Sequence, residues 1–136
     1  MPIRVWLVDD SEPHHAAAAA TLRGLPGFEL ESFLEGSAAV AEFAYRSHSA
    51  PEDLPRIVLM DYFLGDGRGD EFTAALRALD PPAFRPVVVG YSSVGERSRE
   101  IVAAGGDVTV RKRIARDGSN PDLRVYLDSF LRIAGA

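Results

Sequence analysis

The sequence predicts an α/β fold in a single domain, a parallel β-sheet covered by helices. Three observations predict it. Short runs rich in β-branched residues alternate with helical stretches, the βαβ pattern of a parallel sheet. Residues that carry chemistry stand at the ends of those runs, where an open α/β sheet binds ligands. A chain of 136 residues with 46% hydrophobic and 26% charged residues suits one compact domain with a sizeable core.

The elements follow in order. Ile3–Val8 is an unbroken apolar run apart from Arg4 and reads as a buried first strand. Glu12 to about Arg23 is a helix built on Ala16–Ala20, stopped by Gly24 and by Pro26-Gly27. Phe28–Leu34 alternates apolar residues with Glu29, Glu31 and Ser32, so it is expected at a sheet edge. Ser37 to about Ser47 is a helix with Val40, Phe43 and Ala44 on one face. His48–Pro55 is a polar connector leading to a central strand, Arg56–Asp61. Gly65–Gly69 reads as a glycine-rich loop before a third helix, Asp70–Leu79, and a Pro-rich connector, Asp80–Pro86. Val87–Ser92 is the fourth strand, and Gly95–Ala104 a helix ended by Gly105-Gly106. Val108–Val110 is the fifth strand. Asn120-Pro121 is an N-cap followed by Pro at the first helical position. Leu123, Leu127, Phe130, Leu131 and Ala134 then form the apolar stripe of the last helix.

Composition excludes several function classes. A net charge of −5 argues against direct nucleic-acid binding through a basic face. The absence of cysteine excludes disulfides, thiolate metal sites and thiol nucleophiles. No apolar run is long enough to span a bilayer, and Asp9-Asp10 interrupt any signal-peptide pattern. The expectation is a cytoplasmic domain over 1–136, with no membrane contact and no output domain.

The strand ends carry the chemistry. Asp9 and Asp10 close the first strand, Asp61 the third, Ser92 the fourth and Lys112 the fifth. Three carboxylates gathered in one cleft repel one another unless a cation intervenes. Oxygen ligands suit Mg²⁺, which takes one or two carboxylates and keeps other positions for water and phosphate oxygens. A remaining carboxylate is then a nucleophile able to form an acyl phosphate. Lys112 offers a compact cation for a phosphate oxygen and Ser92 a hydroxyl. Singly, each residue has a plainer reading. Asp10 or Ser11 caps a helix, Lys112 in RKR is a solvated basic patch, and Ser92-Ser93 is a turn. Their joint order along the strands is what favours a site.

These segments resemble the receiver domain of two-component response regulators, over about Ile3 to Ala134. VWLVDDSE is similar to its acidic pair, and IVLMDYFLGDGRGDEF to its phosphoacceptor segment, with Gly69 eight residues after Asp61. VVVGYSS is similar to the fourth strand ending in Ser or Thr, and AAGGDVTVRK to the run leading to the lysine. The resemblance implies a flavodoxin-like three-layer sandwich with a five-stranded parallel sheet of order 2-1-3-4-5. It implies that Asp61 is phosphorylated and that Mg²⁺ is held by Asp10, by Asp9 directly or through water, by Asp61 and by the backbone carbonyl of Phe63. Ser92 is expected to bond the phosphoryl group, and Lys112 to bridge to Asp61 or its phosphate. The implied partners are a sensor histidine kinase or histidine phosphotransfer protein and a downstream protein. The implied role is a phosphorelay switch, not an enzyme acting on other substrates.

Some positions depart from that pattern. Arg113 follows the lysine where the family has proline, often cis. A cis bond to a non-proline residue costs about 3 kcal/mol, so a reshaped turn is expected. Thr109 stands at the aromatic switch position, and Tyr91 is a candidate substitute that also reads as packing. Gly65 replaces a common proline. Phe63 and Val94 flank the expected water path, which predicts slow self-dephosphorylation. His14-His15 read as exposed helix-start residues, since neighbouring helical positions diverge. GDGRGD lacks the GK[ST] of a P-loop. A haloacid dehalogenase type phosphatase needs a second Asp two residues after its nucleophile, but Phe63 and Ser11 hold those places. The alternative that remains is a receiver-like docking module working without phosphorylation.

Overall fold

The computed structural model describes residues 2–81 and 84–134, with the side chain of Ala134 outside the described residues. Strands β1 (Ile3–Val8), β2 (Phe28–Phe33), β3 (Ile57–Met60), β6 (Val87–Ser92) and β7 (Val108–Arg111) form one sheet of order β2-β1-β3-β6-β7. Every pairing in it is parallel. The order is the expected 2-1-3-4-5, its numbers shifted by a hairpin of two-residue strands, β4 (Phe63–Leu64) and β5 (Gly67–Arg68). That hairpin occupies much of what reads as a glycine-rich loop. Gly69 then opens the third helix against the backbone of Asp61, where any Cβ would collide with the Asp61 carbonyl.

Helices α1 (Glu12–Arg23), α2 (Gly36–Ser49), α3 (Gly69–Arg77), α4 (Gly95–Ala103) and α5 (Pro121–Ala134) cover both faces. Side-chain alternation along the strands divides the core. Val5, Leu7, Leu59, Val89 and Tyr91 meet Ala18 and Leu22 of α1 and Leu123 and Leu127 of α5. Trp6, Val8, Val58, Met60 and Val88 meet Ala39 and Phe43 of α2, Leu76 of α3 and Ile101 of α4. Trp6 is wholly buried, 4.4 Å from the Phe33 ring, with the Arg46 guanidinium 5.5 Å above its centroid. Strand β2 lies at the edge as its alternation predicts, and ends one residue before the exposed Leu34. Helix α2 begins one residue earlier than expected because Asp66 of the hairpin turn accepts the N–H groups of Gly36 (3.0 Å) and Ser37 (2.8 Å). Among the described residues no peptide is cis, so Lys112–Arg113 is trans, and no helix is long and apolar enough to cross a membrane.

Candidate functional site

Parallel pairing aligns the strand ends along one rim of the sheet. Asp9 continues β1, and its N–H donates to the Phe33 carbonyl at 3.0 Å. Asp61 continues β3, its N–H donating to the Val8 carbonyl at 3.0 Å. Lys112 continues β7, its N–H donating to the Ser92 carbonyl at 3.2 Å. The ladder thus places the four residues side by side before any side-chain contact is made.

The side chains then converge. Lys112 Nζ donates to Asp9 Oδ2 at 2.9 Å and to Asp61 Oδ1 at 3.0 Å. Asp9 is wholly buried, and its Oδ1 accepts the N–H of Ser11 at 2.8 Å. Carboxylate oxygens of Asp9, Asp10 and Asp61 lie within 4.8 Å of one another, with Asp10 at the exposed mouth. Three acids facing one ammonium leave negative charge in excess, and hard oxygen donors at this spacing fit a divalent cation. Burial pushes the Asp61 carboxyl up to about 6, Asp9 adds to the rise, and Lys112 opposes it. Burial works against the Lys112 ammonium, but the two carboxylates outweigh it and hold its pKa above the ordinary lysine value.

Ser92 is buried, and its Oγ accepts the N–H of Val94 at 3.1 Å. A hydroxyl that accepts one bond keeps its proton for donation. Phe63 opens β4 with its side chain 59% exposed, stacked edge-on against Tyr62 at 4.8 Å. The Arg97 guanidinium of α4 sits 5.2 Å from the Tyr62 ring centroid and 5.4 Å from that of Phe63. Val94, the N-cap of α4, is also exposed.

Asp9, Asp10, Asp61, Ser92 and Lys112 stand at the rim as expected, and one expectation nearby needs correction. His14 and His15 are half-buried rather than exposed. The first turn of α1 rests over the end of β1, and His15 Nε2 lies 2.6 Å from the Asp9 carbonyl. Burial and the Lys112 ammonium push His14 below the ordinary imidazole range, Asp9 opposing. The Lys112 of the RKR triplet is buried, whereas Arg113 pairs outward with Asp122 at 2.7 Å. Thr109 is exposed on β7, and Tyr91 is wholly buried core with its hydroxyl accepting Asn120 Nδ2 at 2.7 Å. Sequence spacing carried no sign of that bond or of the Asp66 cap.

No protein-family model matches the chain, and no curated protein matches it. Solved structures do. A CheY-like response regulator receiver domain protein from Methanospirillum hungatei superimposes with a TM-score of 0.69 at 22% identity, over 97% of this chain and 95% of that one. A variant receiver domain of the histidine kinase CKI1 from Arabidopsis thaliana gives 0.76 at 19% identity, over 98% and 91%. The BeF3-activated receiver domain of DrrB from Thermotoga maritima gives 0.68 at 20% identity, over 97% and 99%. The rim of acids, hydroxyl and lysine therefore stands on the fold of a response-regulator receiver domain.

Proposed function

We propose that Asp61 accepts a phosphoryl group from a phosphohistidine of a sensor kinase or histidine phosphotransfer protein. The observation that carries this reading is the Lys112 ammonium 3.0 Å from Asp61, with Asp9 and Asp10 oxygens within 4.8 Å of the Asp61 carboxylate. Asp10, Asp61, the Phe63 carbonyl and Asp9, directly or through water, are the groups to hold Mg²⁺. Bound there, Mg²⁺ offsets the charge that an incoming phosphoryl group brings to an already acidic cleft.

An Asp61 oxygen attacks phosphorus as the histidine N–P bond breaks. The electron pair of that bond stays on the imidazole nitrogen, which takes up a proton on return to its neutral form. Lys112 then transfers one of its bonds from Asp61 Oδ1 to a phosphoryl oxygen. Ser92 donates its hydroxyl proton to another. That turn weakens the 3.1 Å bond from Val94, the residue that starts α4, and so links the phosphoryl group to the α4 face. Hydrolysis of the aspartyl phosphate resets Asp61. The chain promotes only this transfer onto itself and the hydrolysis that follows it.

The test uses Mg²⁺ and acetyl phosphate as donor. The expected product is a hydroxylamine-labile adduct, read as the mass of one phosphoryl group. It is absent from Asp61→Asn and from protein in EDTA. A wild-type chain that takes no phosphoryl group, from this donor or from a histidine kinase, is left with the docking-module reading.

A further inference from the structure

Asn120 does more than start a helix. Its Oδ1 accepts the N–H groups of Asp122 (3.0 Å) and Leu123 (3.3 Å), which is the capping role that residue type predicts. Capping needs only an oxygen, and serine or aspartate at a solvated helix start supplies it. Asn120 is instead wholly buried, and a buried amide nitrogen left unpaired is costly. Both of its N–H bonds are used. Nδ2 donates to the Tyr91 hydroxyl at 2.7 Å and to the Arg111 carbonyl at 3.0 Å. The Asn120 backbone N–H donates to Thr21 Oγ1 of α1 at 2.9 Å, which fixes the amide from the other side.

The two amide targets are Tyr91, immediately before Ser92, and Arg111, immediately before Lys112. Residues 112–120 between β7 and α5 belong to no helix or strand, and the Lys112–Arg113 peptide is trans with no proline to stiffen it. Lys112 nevertheless has to keep its ammonium at 2.9 and 3.0 Å from two carboxylates. We propose that Asn120 is a positioning residue of the phosphoryl pocket, its single side-chain amide registering Ser92 and Lys112 against each other. The consequence for phosphoryl transfer rests on the function proposed above. The placement of Lys112 does not.

Two full-length variants separate these points. Tyr91→Phe removes one acceptor and keeps the ring. Asn120→Ser keeps a capping oxygen and removes both amide bonds. The first readout is hydrogen exchange at the Lys112 ammonium, followed by nitrogen-15 NMR in EDTA. Exchange is expected to quicken in both variants, more in Asn120→Ser. The second is phosphorylation by acetyl phosphate. The maximal rate is expected to fall roughly tenfold in Asn120→Ser, as misplacement of a charge-stabilising group predicts. Mg²⁺ affinity is expected to hold, because Asp9, Asp10 and Asp61 hang from β1 and β3. Folded variants with wild-type ammonium exchange overturn the proposal. So does a rate loss that only tracks weaker Mg²⁺ binding. Should Asn120→Ser fail to fold, Tyr91→Phe decides alone. A wild-type protein that is never phosphorylated sinks the proposed function, while ammonium exchange still decides the role of Asn120.

Discussion

Lys112 is one cation shared by two buried acids, and that imbalance has a thermodynamic consequence at Asp61. Its carboxyl pKa is 3.8 ordinarily and rises to about 6 in the fold, through burial first and Asp9 second. The folded chain therefore binds this proton more tightly than the unfolded chain. The stability it contributes is full below pH 3.8 and is lost as pH rises through about 6. In EDTA at neutral pH, Asp61→Asn is expected to be more stable than wild type by on the order of 2 kcal/mol. The gap should close on acidification across that window, and Mg²⁺ should stabilise the wild type far more than the variant. Denaturant titrations at a series of pH values measure all three. A gap that widens towards low pH contradicts the charge account. Phe63 and Val94 make a second point at this scale. Both expose apolar side chains next to Asp61 and the Ser92 turn, and neither can hydrogen-bond a water to attack the phosphoryl group proposed for Asp61. Replacing either by Asn, which can orient a water but not take its proton, is expected to speed loss of the phosphoryl group by roughly tenfold, less than a positioned general base supplies. Phosphate release from purified phosphoprotein is the measurement, and equal decay rates refute the idea. Asp9, Asp61, Ser92 and Lys112 were legible in sequence because each closes a strand, so strand order alone brings them together. The inward turn of His14 and His15 and the second role of Asn120 were not. Both depend on where α1 and α5 come to rest, which leaves no trace in local spacing.

At the scale of elements, the hairpin after Asp61 and helix α2 are tied by one residue. Asp66 caps α2 from outside, and Glu35, which occupies the N-cap position, makes no side-chain cap bond. Gly36 cannot take over that role with a larger side chain, since its Cβ would run into the Phe72 ring of α3. Asp66→Ala is expected to cost about 1 kcal/mol, the usual value of a lost cap. Hydrogen exchange should rise at Gly36 and Ser37 ahead of the rest of α2. Uniform exchange along the helix contradicts a cap supplied from the hairpin. The sequence pattern located all five helices and the five long strands to within about two residues. It missed the hairpin because strands of two residues have no period to detect. It placed the start of α2 late because a carboxylate that accepts the Gly36 N–H from thirty positions away is invisible to a local rule.

For the molecule as a whole, the legible part was the alternation of apolar strand and amphipathic helix, which asks for residue types and not identities. That is why chains only 19% to 22% identical share this architecture. The sheet divides the interior into two layers of contacts, and β1 and β3 contribute to both. Loss of either layer exposes the other, so unfolding is expected to be cooperative. Trp6 is the sole tryptophan and lies in the layer under α2, its indole N–H donating to Glu31 at 3.2 Å. The chain thus carries its own optical probe, dry in the native state and wet in the denatured one. Melting curves can be read from its emission without any dye. Because it lies under α2, a change in its colour on phosphorylation of Asp61 would reveal that the signal had spread beyond the α4 start at Val94.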